Sequence, residues 1–247
     1  MTRSRIVAAA VVLVLAIGVG GYVAYDQVLR GDSIAPLALP AASPSKAGDA
    51  SANPAASTDP SASFDGNVSG TWTVTSGSQA GYRVREQLAN LPAESDAVGR
   101  TDQVSGTVTV TSDGSTSSVA AGTLQVDTTT ITSDRPQRDN RLRTEGLQTD
   151  SFTTASFKLT QAVAIPAAAI AGTTSDVTLV GELTLHGVTK SVQIPAKAQL
   201  VNGTIQVAGS ISFPLSDYGM TAPNIGGFIV SIADQGTLEF VVVFAKS

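Results

Sequence analysis

His186 is the single histidine in a chain of 247 residues that has no cysteine. A lone histidine can serve as a general base, a metal ligand or a turn residue. A transition-metal site of the usual kind needs three or four His, Cys or carboxylate ligands, and thiolate chemistry is excluded outright. The chain has no G-x-S-x-G elbow and no glycine-rich phosphate loop, so neither an activated serine nor nucleotide binding is indicated. No acid–base pair stands out, and the reading is of a non-enzymatic protein with no metal and no cofactor.

The other side chains able to do chemistry are cations. Residues 133–152, "SDRPQRDNRLRTEGLQTDSF", hold four of the ten arginines: Arg135, Arg138, Arg141 and Arg143. Ser133 or Asp134 reads as a helix cap, Pro136 falls in the first turn and Gly146 is a stop, which predicts a helix of about three turns. Two readings of these arginines stand open. Asp134–Arg138, Asp139–Arg143 and Arg141–Glu145 are spaced i,i+4 and can pair within the helix. Alternatively, Arg138 and Arg141 can hold an anionic head group through bidentate hydrogen bonds. The net charge of −5 argues against a nucleic-acid partner, which requires a basic surface.

The elements that must carry these residues alternate apolar and polar side chains with period two. Inward positions on this pattern are Val108 in "VSGTVTV", Leu124 and Val126 in "GTLQV", Phe157 and Leu159 in "ASFKL", Phe213 in "TIQVAGSISF", Phe228 in "FIVSI", and Phe240 and Val242 in "TLEFVVVF". Roughly ten such segments, separated by turn signals such as "SDGS", "VNGT" and "ADQG", predict an antiparallel barrel or sandwich. Around His186 a two-residue His-Gly loop faces Leu185 to Val188, Leu183 to Lys190, Gly181 to Val192 and Leu179 to Ile194. That register keeps all but one of the apolar pairs on one face. Primed turns demand positive φ, which Gly adopts freely and His tolerates, so His186 reads as a turn residue. Lys190 is the odd inner member, placed at a barrel mouth, where it is solvated or meets a phosphate. Gly106, Gly122, Gly181 and Gly209 also fall on the apolar faces. Either they leave room for a ligand or they let the strands bend.

Ahead of this domain, Arg3 and Arg5 precede an uncharged run from Ile6 to Tyr25. Twenty helical residues span about 30 Å, the thickness of a bilayer core, and the basic flank places the chain beyond Asp26 outside the cytoplasm. Residues 1–30 therefore read as a transmembrane signal-anchor, with a cleaved signal peptide ending near Gly18–Gly20 as the alternative. Residues 31–65 hold 22 Ala, Ser or Pro among 35, so 31–67 reads as a solvated linker, about 30 Å end to end as coil and ~110 Å when extended. The domain itself is 68–247.

Several motifs resemble the polyisoprenoid-binding YceI-like family. "GELTLHGVTKSVQIPAKAQL" is similar to its Gly-x-Leu-Thr-x-His-Gly-Val-Thr-Lys hairpin. "QRDNRLRTEGLQTDSFTTASF" resembles its helix and following strand, "SDYGM" its aspartate-aromatic-Gly turn, and "WTV" its first strand. Two departures are visible: Arg141 stands where histidine is usual, and "FTTASF" lacks the second aromatic and the proline. The resemblance implies an all-β, lipocalin-like, eight-stranded antiparallel barrel with one short helix. It implies a lumen that holds a long-chain isoprenoid lipid, a polyprenyl phosphate or isoprenoid quinone, and no catalysis. The lumen would then be lined by the inward residues named above together with Gly181, Leu183, Leu185 and Val192, with Arg138, Arg141 and Lys190 near the head group. The contrasting expectation is a cell-envelope β-domain with a filled core and a protein partner.

Overall fold

Alternating strands have one apolar face to bury, and closing the sheet on itself buries it without leaving an edge. The computed structural model, which describes residues 34–40, 66–88, 94–222 and 229–247, does this. In chain order the strands are β1 (Gly70–Val74), β2 (Gln79–Leu88), β3 (Glu94–Thr101), β4 (Val104–Ser112), β5 (Ser117–Asp127) and β6 (Thr132–Ser133). They continue with β7 (Thr154–Leu159), β8 (Val163–Ile165), β9 (Ser175–Leu185), β10 (Val188–Val201), β11 (Thr204–Pro214) and β12 (Ile229–Lys246). Among the described residues the α-helices are α1 (Pro136–Thr144) and the single turn α2 (Ala167–Ile170).

Eight strands form a closed antiparallel ring in the order β1-β4-β5-β7-β9-β10-β11-β12, sealed where Trp72 pairs with Lys246 and Val74 with Phe244. β12 is long enough to serve two partners on one edge. Its C-terminal end holds β1, and the stretch before it holds β2, which continues the sheet through β3 to β6. Register shifts between Ile229 and Ser231 and between Ile232 and Gly236 bend β12 as bulges do. Among the described residues twelve strands form, more than alternation alone indicates, because β6 and β8 are too short to show a period.

The His-Gly hairpin has the expected register, with Leu185 opposite Val188, Leu183 opposite Lys190 and Gly181 opposite Val192. His186 (φ 50°) and Gly187 (φ 73°) both take the left-handed conformation, as a type I′ turn requires. The helix differs in detail. It begins at Pro136 with Arg135 as N-cap and no side-chain cap. Asp139 instead reaches back and accepts from the Ser133 hydroxyl (2.6 Å) and amide (3.0 Å), which removes it from its i,i+4 partner. Arg143 donates to Asn140.

Two apolar clusters plug the ends of the barrel. At one end Trp72, wholly buried, donates its indole N–H to Val68 O at 2.9 Å and packs with Val110, Val242 and Phe244. At the other lie Leu183, Leu185, Phe213, Tyr218 and Met220, with Phe213 and Tyr218 edge to face at 5.1 Å. Residues 34–40 were expected in solvated linker; their backbone instead lies against the barrel, bonded to Arg83, Arg100 and Glu239. The anchor expected at 1–30 lies outside the described residues. Among those described, no helix is long and apolar enough to cross a membrane.

Candidate ligand site in the barrel lumen

Within and between the two end clusters, inward side chains of the described residues leave apolar cavities, three of which share walls in sequence. The one at the α1 end, about 90 Å³, is walled by Tyr82, Val84, Leu142, Phe213, Met220 and Leu238, among others. The middle one, about 100 Å³, is walled by Leu124, Val126, Phe157, Leu183, Leu185, Phe240 and Val242. The third, about 60 Å³, lies among Val119, Ile170, Leu200 and Val207. Tyr82, Leu147 and Leu238 line both the first and the second, and Leu179 lines both the second and the third. The three cavities are thus neighbours that share walls.

The polar groups gather at the α1 end. Arg138 lies in the cavity wall with its Nη2 2.6 Å from the carboxylate of Glu86, which is 3% exposed, and it also donates to Asp134. Burial works against the guanidinium charge, but Glu86 and Asp134 outweigh it and hold the group's pKa above its ordinary value. Tyr82 lines the boundary between two cavities, and burial raises its phenol well above the usual range. Arg141 also lines the first cavity, pairs with Glu145 at 3.1 Å and remains almost half exposed.

The residues expected to line a ligand separate into groups. Leu124, Val126, Phe157, Leu183, Leu185, Phe240 and Val242 meet around the middle cavity, and Phe213 stands on the first. Val108 and Val192 pack against the end clusters rather than a cavity. Leu159 is half-buried opposite Gly181. Phe228 lies outside the described residues. Lys190 is exposed, 3.5 Å from Asp217, and is not among the residues that wall these cavities, because the pleat so near the turn carries it to the rim.

The glycines do not hold space open. A β-carbon on Gly181 would stand 2.5 Å from the Phe157 ring and 2.4 Å from Lys158 O, and one on Gly209 would stand 2.9 Å from the Phe240 ring. Gly106, at φ 146°, lets its strand approach Thr123 O, 2.1 Å from where a β-carbon would be. Aromatic rings and backbone occupy those places, with glycine as the seat. His186 also does more than turn the chain. Its Nδ1 donates to Tyr218 O at 3.0 Å, and its ring lies 4.1 Å from that of Phe152. Tyr82, Glu86, Leu142, Leu147 and Met220 were not anticipated, whereas Leu179 was placed on the inner face of the hairpin without being assigned to the site. Tyr82, Val84 and Glu86 share a face by period two, and a lone acid on that face signals a distant cation.

The YceI-like domain family model matches residues 72–244. Among solved structures, the chain is similar to a polyisoprenoid binding domain from Saccharophagus degradans implicated in plant cell wall breakdown. That match has a TM-score of 0.55 at 18% identity and covers 72% of this chain and 98% of that one. It is also similar to Burkholderia cenocepacia BcnA, with a TM-score of 0.50, 17% identity, and coverage of 67% and 95%. No curated protein matches it. With its closed eight-stranded ring, its His-Gly hairpin and a family match spanning nearly the whole barrel, the chain belongs to the YceI-like domain family.

Proposed function

We propose that the barrel binds the chain of a long isoprenoid lipid in its lumen, without chemistry, at the extracytoplasmic face of the membrane to which residues 1–30 anchor it. The observation that carries this reading is the row of three apolar cavities joined by shared walls. The similarity to a domain described as polyisoprenoid-binding supports it. Burying a methylene from water is worth about 0.8 kcal/mol, but a lipid leaves a bilayer that is equally apolar. Affinity then depends on shape and head group. With Arg138 committed to Glu86, Arg141 is the better cation for a polyprenyl phosphate, while a quinone would place its ring near Tyr82.

Each cavity is smaller than the ~150 Å³ apolar hole that admits benzene. A chain therefore enters by displacing partitions, the Phe157 and Phe240 rings first among them. The same narrowness favours the second reading, a filled barrel that binds a protein partner. Native mass spectrometry of gently purified 31–247, followed by solvent extraction, tests the two. An isoprenoid adduct supports the lipid reading. Adduct-free protein that also takes up no polyprenyl phosphate or quinone from vesicles overturns it.

A further inference from the structure

The outer wall of the barrel carries an occupied peptide site. Glu239 sits between Leu238 and Phe240, which face the lumen, so its carboxylate points outward, yet it is 3% exposed. Arg100 donates to it at 2.7 Å and Arg83 lies 3.6 Å away, with Arg83 also 2.9 Å from Asp96. Two cations and two carboxylates thus leave the cluster neutral. Gly81 pairs with both Glu239 and Arg100. A β-carbon there would stand 2.9 Å from Arg100 Cγ, so the glycine lets the arginine stem cross the strand to reach Glu239.

The donors left over are taken by the chain's own residues 34–40, "IAPLALP". Arg83 Nη2 donates to Ile34 O at 2.7 Å, Arg100 Nη2 donates to Ala35 O, and the Leu37 amide lies 3.4 Å from Glu239 Oε2. Each guanidinium fork serves a carboxylate and a carbonyl together, as its five donors allow. Pro36 and Pro40 fix φ, so the segment is extended before it docks and loses less freedom on doing so. Leu37 and Leu39 are half-buried.

We infer that Ile34–Pro40 is a docking strap that clips the tether to the outer wall through the Arg83–Glu239–Arg100 clasp and so governs how far the barrel stands from its anchor. The distance consequence rests on the anchor reading above; the docking does not. With the strap docked, only residues 26–33 separate the apolar stretch from the barrel, eight residues that reach at most about 30 Å. Released, the connection runs from 26 to 69, with an extended reach of roughly 150 Å. A docked barrel faces one patch of membrane, whereas a released one roams.

The chain's lack of cysteine makes the test direct. Spin labels at Ala38→Cys and Ser210→Cys, both exposed, with Ser210 opposite Glu239, report the strap in soluble 31–247 by pulsed dipolar spectroscopy. One short, narrow distance is expected. It should broaden in Arg83→Gln/Arg100→Gln/Glu239→Gln. It should broaden too when residues 34–37, 39 and 40 become Gly and Ser, a change that touches no barrel residue and keeps the backbone partners but removes the proline restriction and the packing of Leu37 and Leu39. A broad distribution in the unaltered sequence, or a narrow one in both variants, overturns docking. Energy transfer from Ser210→Cys to labelled lipid, measured on the full chain in nanodiscs, should drop on strap release. Failure of the full chain to associate with nanodiscs would sink the anchor reading while leaving the docking result intact.

Discussion

The ring of Phe157 lies over Gly181, with its Cζ 2.5 Å from where a β-carbon on that glycine would stand. Phe157 is paired with Leu183, the neighbour of Gly181 on the same inner face, so the ring leans across the diagonal into the space glycine vacates. Gly181→Ala should therefore destabilise the barrel by about 1–3 kcal/mol as an overpacking change. Adding Phe157→Leu should restore only part of this, because Lys158 O, 2.4 Å from the same point, is backbone and stays. Urea midpoints at unchanged m-value read the difference. A neutral Gly181→Ala would refute the contact.

Glu86 and Arg138 form a pair of which both members are deeply buried. Removing one partner of such a pair typically costs about 3–5 kcal/mol, and Arg138 keeps Asp134, so Glu86→Gln should fall near the lower figure. Replacing both with apolar side chains, Glu86→Leu/Arg138→Met, should lose less than Glu86→Leu alone. A double-mutant cycle by denaturant unfolding gives the coupling; additive losses would mean that the pair is only geometric.

Tyr82 and Tyr218 are the two tyrosines after residue 31, and burial raises both phenols, with Asp217 adding to the rise at Tyr218. Above the ordinary phenol value of about 10, the unfolded chain loses protons that the folded chain keeps. Stability owed to these groups is thus complete below that pH and falls as pH climbs past it. For 31–247, phenolate absorbance should appear only together with loss of β-sheet circular dichroism. A phenolate step near pH 10 in folded protein would contradict the burial.

The candidate site was legible in one respect and hidden in another. Every cavity-lining residue chosen from β5, β7, β9, β11 and β12 came from period two, which is a property of a single strand. Tyr82 and Glu86 follow the same period, and the acid on that face calls for a cation, but nothing local identifies it as Arg138, 52 residues away. Arg138 itself could be read as helix-paired or ligand-facing, and only the packing of α1 against β2 decides between them.

What the sequence determined by itself was local: which side of each strand is apolar, and the register of the hairpin from Ser175 to Ala198, because a two-residue turn at His186-Gly187 leaves one alignment that keeps leucine opposite valine. The tertiary structure decided what each face meets. It set β12 against three neighbours, rings rather than ligand space over Gly181 and Gly209, Asp217 beside Lys190, and residues 34–40 hydrogen-bonded to the wall. Alternation says that a side chain will be buried; the atoms that bury it come from strands far along the chain, where closing the ring brings them.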